Sequence, residues 1–230
     1  MQSDISHLST MIKSRLSEED LNFALCNTKD DRQFLVHEDI HGQIFLCNSD
    51  LTYQHVSSNL TDIGQELVIN IPEYIKKKYS ENTHKMFTML DLGCGDGTAL
   101  FDLSGALRKE GISNFKLVGL AHMFFHKWQT SVDSVSFILD VENSMERYFK
   151  KGEVDFIYSV FCLAHMPYPM QEKCLKQLYE ILGPDGEIRI NLGDLNKIPP
   201  YDNWSKGIGF NFTFKEEEKY KVAILNKKSK

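Results

Sequence analysis

Between residues 85 and 192 short apolar runs alternate with amphipathic stretches. The runs at 86–90, 115–120, 135–139, 154–160 and 187–192 are dominated by Leu, Ile, Val, Met and Phe. Runs of that length and composition predict buried strands. The stretch at 98–109 carries Leu100, Leu103 and Leu107 on one face, and that at 169–182 carries Cys174, Leu175, Leu178 and Ile181. Each predicts a helix with one apolar side. Gly111 ends the first, and Gly183-Pro184-Asp185-Gly186 ends the second. Residues 122–130 predict a short helix, and 142–149 a short helix or turn. Strands alternating with helices imply a parallel sheet covered on both faces.

The two ends of the chain break this rhythm. Residues 208–214 and 220–225 flank Lys215-Glu216-Glu217-Glu218-Lys219 and predict a β-hairpin. In the first 84 residues, 6–25 has roughly helical spacing, with Ser17-Glu18-Glu19-Asp20 as a second helix start. The apolar runs at 33–37 and 43–47 predict a hairpin. Residues 61–78 predict a helix with Ile63, Leu67, Ile71, Tyr74 and Ile75 inward, and Pro72 marks a kink or a new helix start. The chain therefore divides into a cap or substrate-binding element, 1–84, and a ligand-binding domain, 85–230.

Composition narrows the function classes. Hydrophobic residues make up 42% and charged residues 25%, as in ordinary globular chains. A net charge of −6 offers no strong field for nucleic acid. The runs Lys76-Lys77-Lys78 and Lys227, Lys228, Lys230 read as solvated surface. Five cysteines, at 26, 47, 94, 162 and 174, have no C-x-x-C spacing, so neither a disulfide framework nor a metal site is expected. A reducing, cytoplasmic setting follows. No leader and no membrane-spanning run is predicted, which makes the sequons at Asn59, Asn203 and Asn211 chance matches.

The candidate chemistry lies at 89–98, Met-Leu-Asp-Leu-Gly-Cys-Gly-Asp-Gly-Thr. A strand reaches Asp91, and Gly93, Gly95 and Gly97 follow at every second position before a helix begins. Such a turn lets backbone approach a ligand, and helix amides there bind anions. The dinucleotide pattern is G-x-G-x-x-G with an acid about 20 residues later. Here the spacing is G-x-G-x-G, and the acid comes first. A carboxylate at a strand's C-terminal end would repel a pyrophosphate but accept from an ammonium group. The site suits a nucleoside that bears an amino acid.

Asp91-x-Gly93-x-Gly95-x-Gly97 resembles motif I of the class I S-adenosylmethionine-dependent methyltransferases, in particular the small-molecule-type branch. The resemblance runs over residues 85–192, about half the chain. It implies a doubly wound, mostly parallel seven-stranded Rossmann-like sheet, an antiparallel C-terminal hairpin and an N-terminal helical cap. It also implies S-adenosylmethionine as cofactor. Motif I carries Asp91, Leu92, Gly93, Gly95 and Gly97 over as cofactor-binding residues. Phe137-Ile138-Leu139-Asp140-Val141-Glu142 resembles the segment after the family's third strand, where Asp140 accepts from the adenine amine and the Val141 amide donates to the ring. Asp140 as a helix N-cap is the competing reading. In 154–166, Ser159, Val160 and Phe161 would lie beside the methionine and adenosyl groups.

His165 falls at the family's recurrent histidine, as a general base or as a residue that orders its loop. The family's ribose-binding acid ends the second strand, and Ala121 stands there, with His122 as a substitute or an exposed helix-start residue. Losing such a bond costs on the order of 1.5–3 kcal/mol. Cys94 reads as a small residue suited to the turn. Tyr53 and His55 either close over the cofactor or lie on the surface. The link from residue 192 to the hairpin is short, so a helix usual in the family is expected to be missing or vestigial. The implied activity is methyl transfer to an O or N acceptor, a small molecule before a protein, with no nucleic acid or membrane partner. The alternative is an inactive methyltransferase-like binding or regulatory protein, motivated by Ala121. An NAD-dependent oxidoreductase is opposed by the glycine spacing and Asp91.

Overall fold

A computed structural model of the 230-residue chain describes residues 34–38, 44–48, 58–81, 85–121, 124–125, 133–139, 145–160, 162–166, 168–192, 200–217 and 220–228. The N-terminal hairpin forms as β1 (Phe34–Glu38) and β2 (Ile44–Asn48), paired antiparallel. Its third partner is β5 (Phe124–Phe125), which pairs Phe125 with Phe45 and Phe124 with Leu46. Within the helix expected at 122–130, the two described residues, 124–125, are strand instead. The backbone of residues 124–125 satisfies the open edge of β2, a demand that helical periodicity does not register.

Where one helix was expected at 61–78 there are two, α1 (Leu60–Glu66) and α2 (Ile71–Glu81). Asn59 caps α1 by accepting from the Asp62 amide at 3.0 Å. Asn70 caps α2 by accepting from the Glu73 amide at 3.1 Å. Pro72 sits in the first turn of α2, where its missing N–H costs nothing. Between them the chain reverses at Val68, which holds φ 52.

The main sheet contains β3 (Phe87–Leu92), β4 (Phe115–Ala121), β6 (Val135–Leu139), β7 (Val154–Ser159), β8 (Leu182–Asn191), β9 (Phe210–Glu217) and β10 (Tyr220–Lys227). Their spatial order is β6-β4-β3-β7-β8-β10-β9. The first five run parallel, and β10 is antiparallel to both β8 and β9. This is the expected seven-stranded, Rossmann-like sheet with its C-terminal hairpin. β8 begins earlier than the run at 187–192: Leu182 pairs with Val154, residues 183–186 loop out, and pairing resumes with Glu187 opposite Phe156.

The helices α3 (Thr98–Lys109), α4 (Tyr168–Ile181) and α5 (Tyr201–Ile208) complete the layers. α5 corrects the expectation of a missing or vestigial helix before the hairpin. Tyr201 and Ser205, four apart, are its buried face. α1, α2 and α3 cover one face, packing on Phe87, Met89, Leu117, Phe137, Phe156 and Tyr158. α4 and α5 cover the other, over Leu90, Val118, Ile157, Ile188 and Ile190. No described helix is long and apolar enough to cross a membrane.

Candidate functional site

β3 and β7 lie side by side where the strand order reverses, and α/β sheets bind ligands beyond the C-terminal ends of such strands. Asp91 occupies that end of β3. It is 3% exposed, and its Oδ2 accepts from the Tyr158 hydroxyl at 2.7 Å. Burial pushes its pKa up to about 7, and the Tyr158 hydrogen bond only partly opposes this. No basic side chain among the described residues acts on it. A buried carboxylate without a cation is an expensive arrangement, and one that an arriving ammonium would relieve.

The loop after Asp91 folds back on β4: the amides of Gly93 and Cys94 donate to the Leu120 carbonyl at 2.7 and 3.2 Å. Gly93 has φ 96, and a Cβ there would lie 2.3 Å from that of Cys162. Gly97 has φ 78, and a Cβ would meet the Phe137 ring at 2.5 Å. Both positions therefore require glycine. Asp96 turns its Oδ1 to the start of α3, accepting from the Thr98 amide at 2.9 Å and hydroxyl at 2.7 Å. A carboxylate thus already sits at the helix N-terminus where a dinucleotide's pyrophosphate would dock.

Cys94 packs toward Gly119, where a Cβ would lie 2.6 Å from its sulfur. Burial, then Asp91, push the Cys94 thiol well above its ordinary range, and the same causes push Cys162 up to about 12. Both thiols are packing groups, as the turn reading of Cys94 expects. Leu92 is fully buried in the core of the opposite face, so a ligand could meet only its backbone. Val160 follows β7 directly and packs half-buried against the α1–α3 core. Ala121 ends β4, buried at 6% exposure, and carries no hydrogen-bonding side chain where the ribose acid was sought. Asp140 and Val141 lie outside the described residues, as do His122, Tyr53 and His55.

His165 ends a short turn, Leu163–His165, beyond β7. The Leu163 amide donates to the Ser159 hydroxyl at 2.9 Å. Gln171 of α4 donates to the carbonyls of Ala164 and Met166 at 3.1 and 2.6 Å, and its own oxygen accepts from the Tyr201 hydroxyl at 2.7 Å. α4 and α5 together fix the backbone that carries His165. Tyr158 and Gln171 were not singled out by the sequence. Each reads there as one more member of an apolar strand or a helix face. Among the described residues no cluster of three or more His, Cys, Asp or Glu could hold a metal.

Residues 89–186 match the family model of a methyltransferase domain. Among solved structures the chain is similar to MNMC2 from Aquifex aeolicus, with TM-score 0.54 and 15% identity over 94% of this chain and 79% of that one. It is also similar to the 1,6-didemethyltoxoflavin-N1-methyltransferase of Burkholderia thailandensis, solved with 1,6-didemethyltoxoflavin and S-adenosylhomocysteine. That comparison has TM-score 0.50 and 12% identity over 84% and 99% of the two chains. A SAM-dependent methyltransferase from Aquifex aeolicus has TM-score 0.48 and 18% identity over 74% and 98%. No curated protein matches the sequence.

Proposed function

We propose that the chain, whose residues 89–186 match the model of a methyltransferase domain, transfers a methyl group from S-adenosylmethionine to an O or N acceptor. The observation that carries the proposal is the buried carboxylate of Asp91 at the head of the glycine loop, which no basic side chain among the described residues meets. It fits the ammonium of an amino-acid-bearing nucleoside. The same site, with Asp96 across the start of α3, opposes a pyrophosphate and so the NAD reading.

In this proposal Asp91 receives the α-ammonium. The backbone of Leu92, Gly93, Gly95 and Gly97 lies against the ligand. Val160 borders the adenosyl group, and Asp140 with the Val141 amide reads the adenine edge. The bound cofactor supplies an electrophilic methyl carbon, so the protein's task is alignment in a dry site. His165, whose flanking Ala164 and Met166 carbonyls are held by Gln171, takes the acceptor's proton where one must leave. A small-molecule acceptor and a cytoplasmic setting complete the proposal, consistent with a net charge of −6. Ala121 favours a second reading, a binding or regulatory protein with a weakened cofactor site.

A thermal-shift titration tests the proposal. S-adenosylhomocysteine at 100 times its dissociation constant should stabilise by about 2.7 kcal/mol, and NAD should give no shift. Absence of any shift at millimolar S-adenosylhomocysteine sinks the enzyme reading. Once an acceptor has been found by labelled-methyl screening, His165→Ala should lower kcat at least ~100-fold and leave cofactor affinity in place. An unchanged kcat removes His165 as base.

A further inference from the structure

The one hydrogen bond to the Asp91 carboxylate among the described residues comes from a phenol, not a cation. β3 and β7 run parallel with Asp91 directly opposite Tyr158. Residues so paired leave the sheet on the same face. The Tyr158 ring is 1% exposed and packs on Phe156, with centroids 6.1 Å apart, and Phe156 in turn packs on Tyr74 at 4.8 Å. The ring is therefore fixed, and its hydroxyl defines where Oδ2 of Asp91 sits. Among the described residues the other titratable groups that interact with Asp91 are Cys94 from the glycine loop and Cys162 from the segment after β7, and Asp96 in turn acts on Cys94. Arg189 is next along the same row, opposite Tyr158 on β8. Its guanidinium is directed to the Leu67 and Val68 carbonyls and to Glu187.

We propose that Tyr158 is a positioning residue for cofactor binding: its hydroxyl holds Oδ2 of Asp91 and leaves the other oxygen to accept from the cofactor's α-ammonium. This rests on the S-adenosylmethionine reading of the site. Tyr158 also opposes the effect of burial, because a hydrogen bond from the phenol favours the ionised carboxylate. Ammonium capture needs that ionised form. Affinity should therefore fall as pH drops through about 7, by roughly tenfold per pH unit well below it. Tyr158→Phe keeps the ring and removes the donor, so the midpoint should move up by about one pH unit.

The experiment is calorimetric titration of the full chain across pH with two probes. S-adenosylhomocysteine carries the ammonium; methylthioadenosine keeps the adenosine and sulfur and lacks it. In the wild type, S-adenosylhomocysteine affinity should step near neutrality and methylthioadenosine affinity should not. In Tyr158→Phe the step should move up, which near neutral pH is about a fivefold loss of affinity for the first probe alone. The ligand's own amine titrates alike in both proteins and cancels in the comparison. Should the variant fail to fold, the Tyr158 Cζ NMR shift in the wild type reports directly. It should titrate at the same pH as the affinity, which a merely packed tyrosine would not do. A step left in place by Tyr158→Phe, or a Cζ shift that does not titrate, overturns the role of Tyr158 alone. Binding of neither probe overturns the cofactor reading and the role of Tyr158 with it.

Discussion

Asp91 shows how one residue sets function against stability. Its folded pKa of about 7 lies above its ordinary value of 3.8, so the folded chain binds more protons than the unfolded chain between those values. Stability conferred by this group is therefore present at low pH, falls as pH rises from about 4 to about 7, and stays level above. At about 1.4 kcal/mol per pH unit, the cost of ionising it is on the order of 4 kcal/mol. Asp91→Asn removes that cost and keeps an acceptor for Tyr158. It should raise Tm by several degrees at about pH 8 and give no gain at about pH 4, while S-adenosylhomocysteine affinity falls. Melting curves at the two pH values check this. A variant less stable at the higher pH would make Asp91 a structural carboxylate. Gain of stability with loss of affinity marks a strained ligand site.

At the scale of elements, the joint between α1 and α2 has its own tension. The Val68 amide donates to the Gln65 carbonyl at 3.0 Å and the Ile69 amide to that of Gly64 at 2.9 Å. That pair of bonds is a helix end that normally places glycine in the left-handed region, and here the residue is a β-branched valine at φ 52. The joint is held from the sheet: Arg189 donates to the Leu67 and Val68 carbonyls, both at 3.0 Å, and Asn191 to that of Glu66 at 2.9 Å. Val68 is half-buried, so little packing is lost on trimming it. Val68→Gly should stabilise the chain by about 1 kcal/mol, read as a higher midpoint in urea with an unchanged slope. Destabilisation would mean that the valine side chain outweighs its backbone strain. The sequence pattern reads 61–78 as one helix and marks neither the Asn59 cap of α1 nor the Asn70 cap of α2. It does not mark Val68 either, because nothing local to it asks for a positive φ.

For the whole molecule, the alternation of apolar runs and amphipathic stretches carries the parallel half of the sheet, and the glycine spacing carries the ligand end of β3. What local pattern could not carry is pairing between distant segments. Tyr158 looks like one more strand residue until register sets it opposite Asp91, 67 positions away. Phe124 and Phe125 become strand because β2 offers them an edge. α5 is short, and its buried Tyr201 packs on Phe212 of the last hairpin and bonds Gln171 of α4, partners that its own eight residues do not announce. That hairpin has a global role. β10 pairs Val222–Asn226 against β8 and separates β8 from β9, so the last strand in the chain is an interior strand of the sheet. Ala223 and Leu225 belong to the core under α4 and α5, and Lys215 of β9 reaches the Val68 carbonyl at 3.5 Å on the other face. Ending the chain after Gly209 would bare the edge of β8 and open both layers at once. Such a chain should keep most of its far-ultraviolet circular dichroism, bind a hydrophobic dye, and lose its sharp thermal transition. A truncated chain that still melts sharply and binds no dye would show that the five parallel strands and their helices are cooperative without the hairpin.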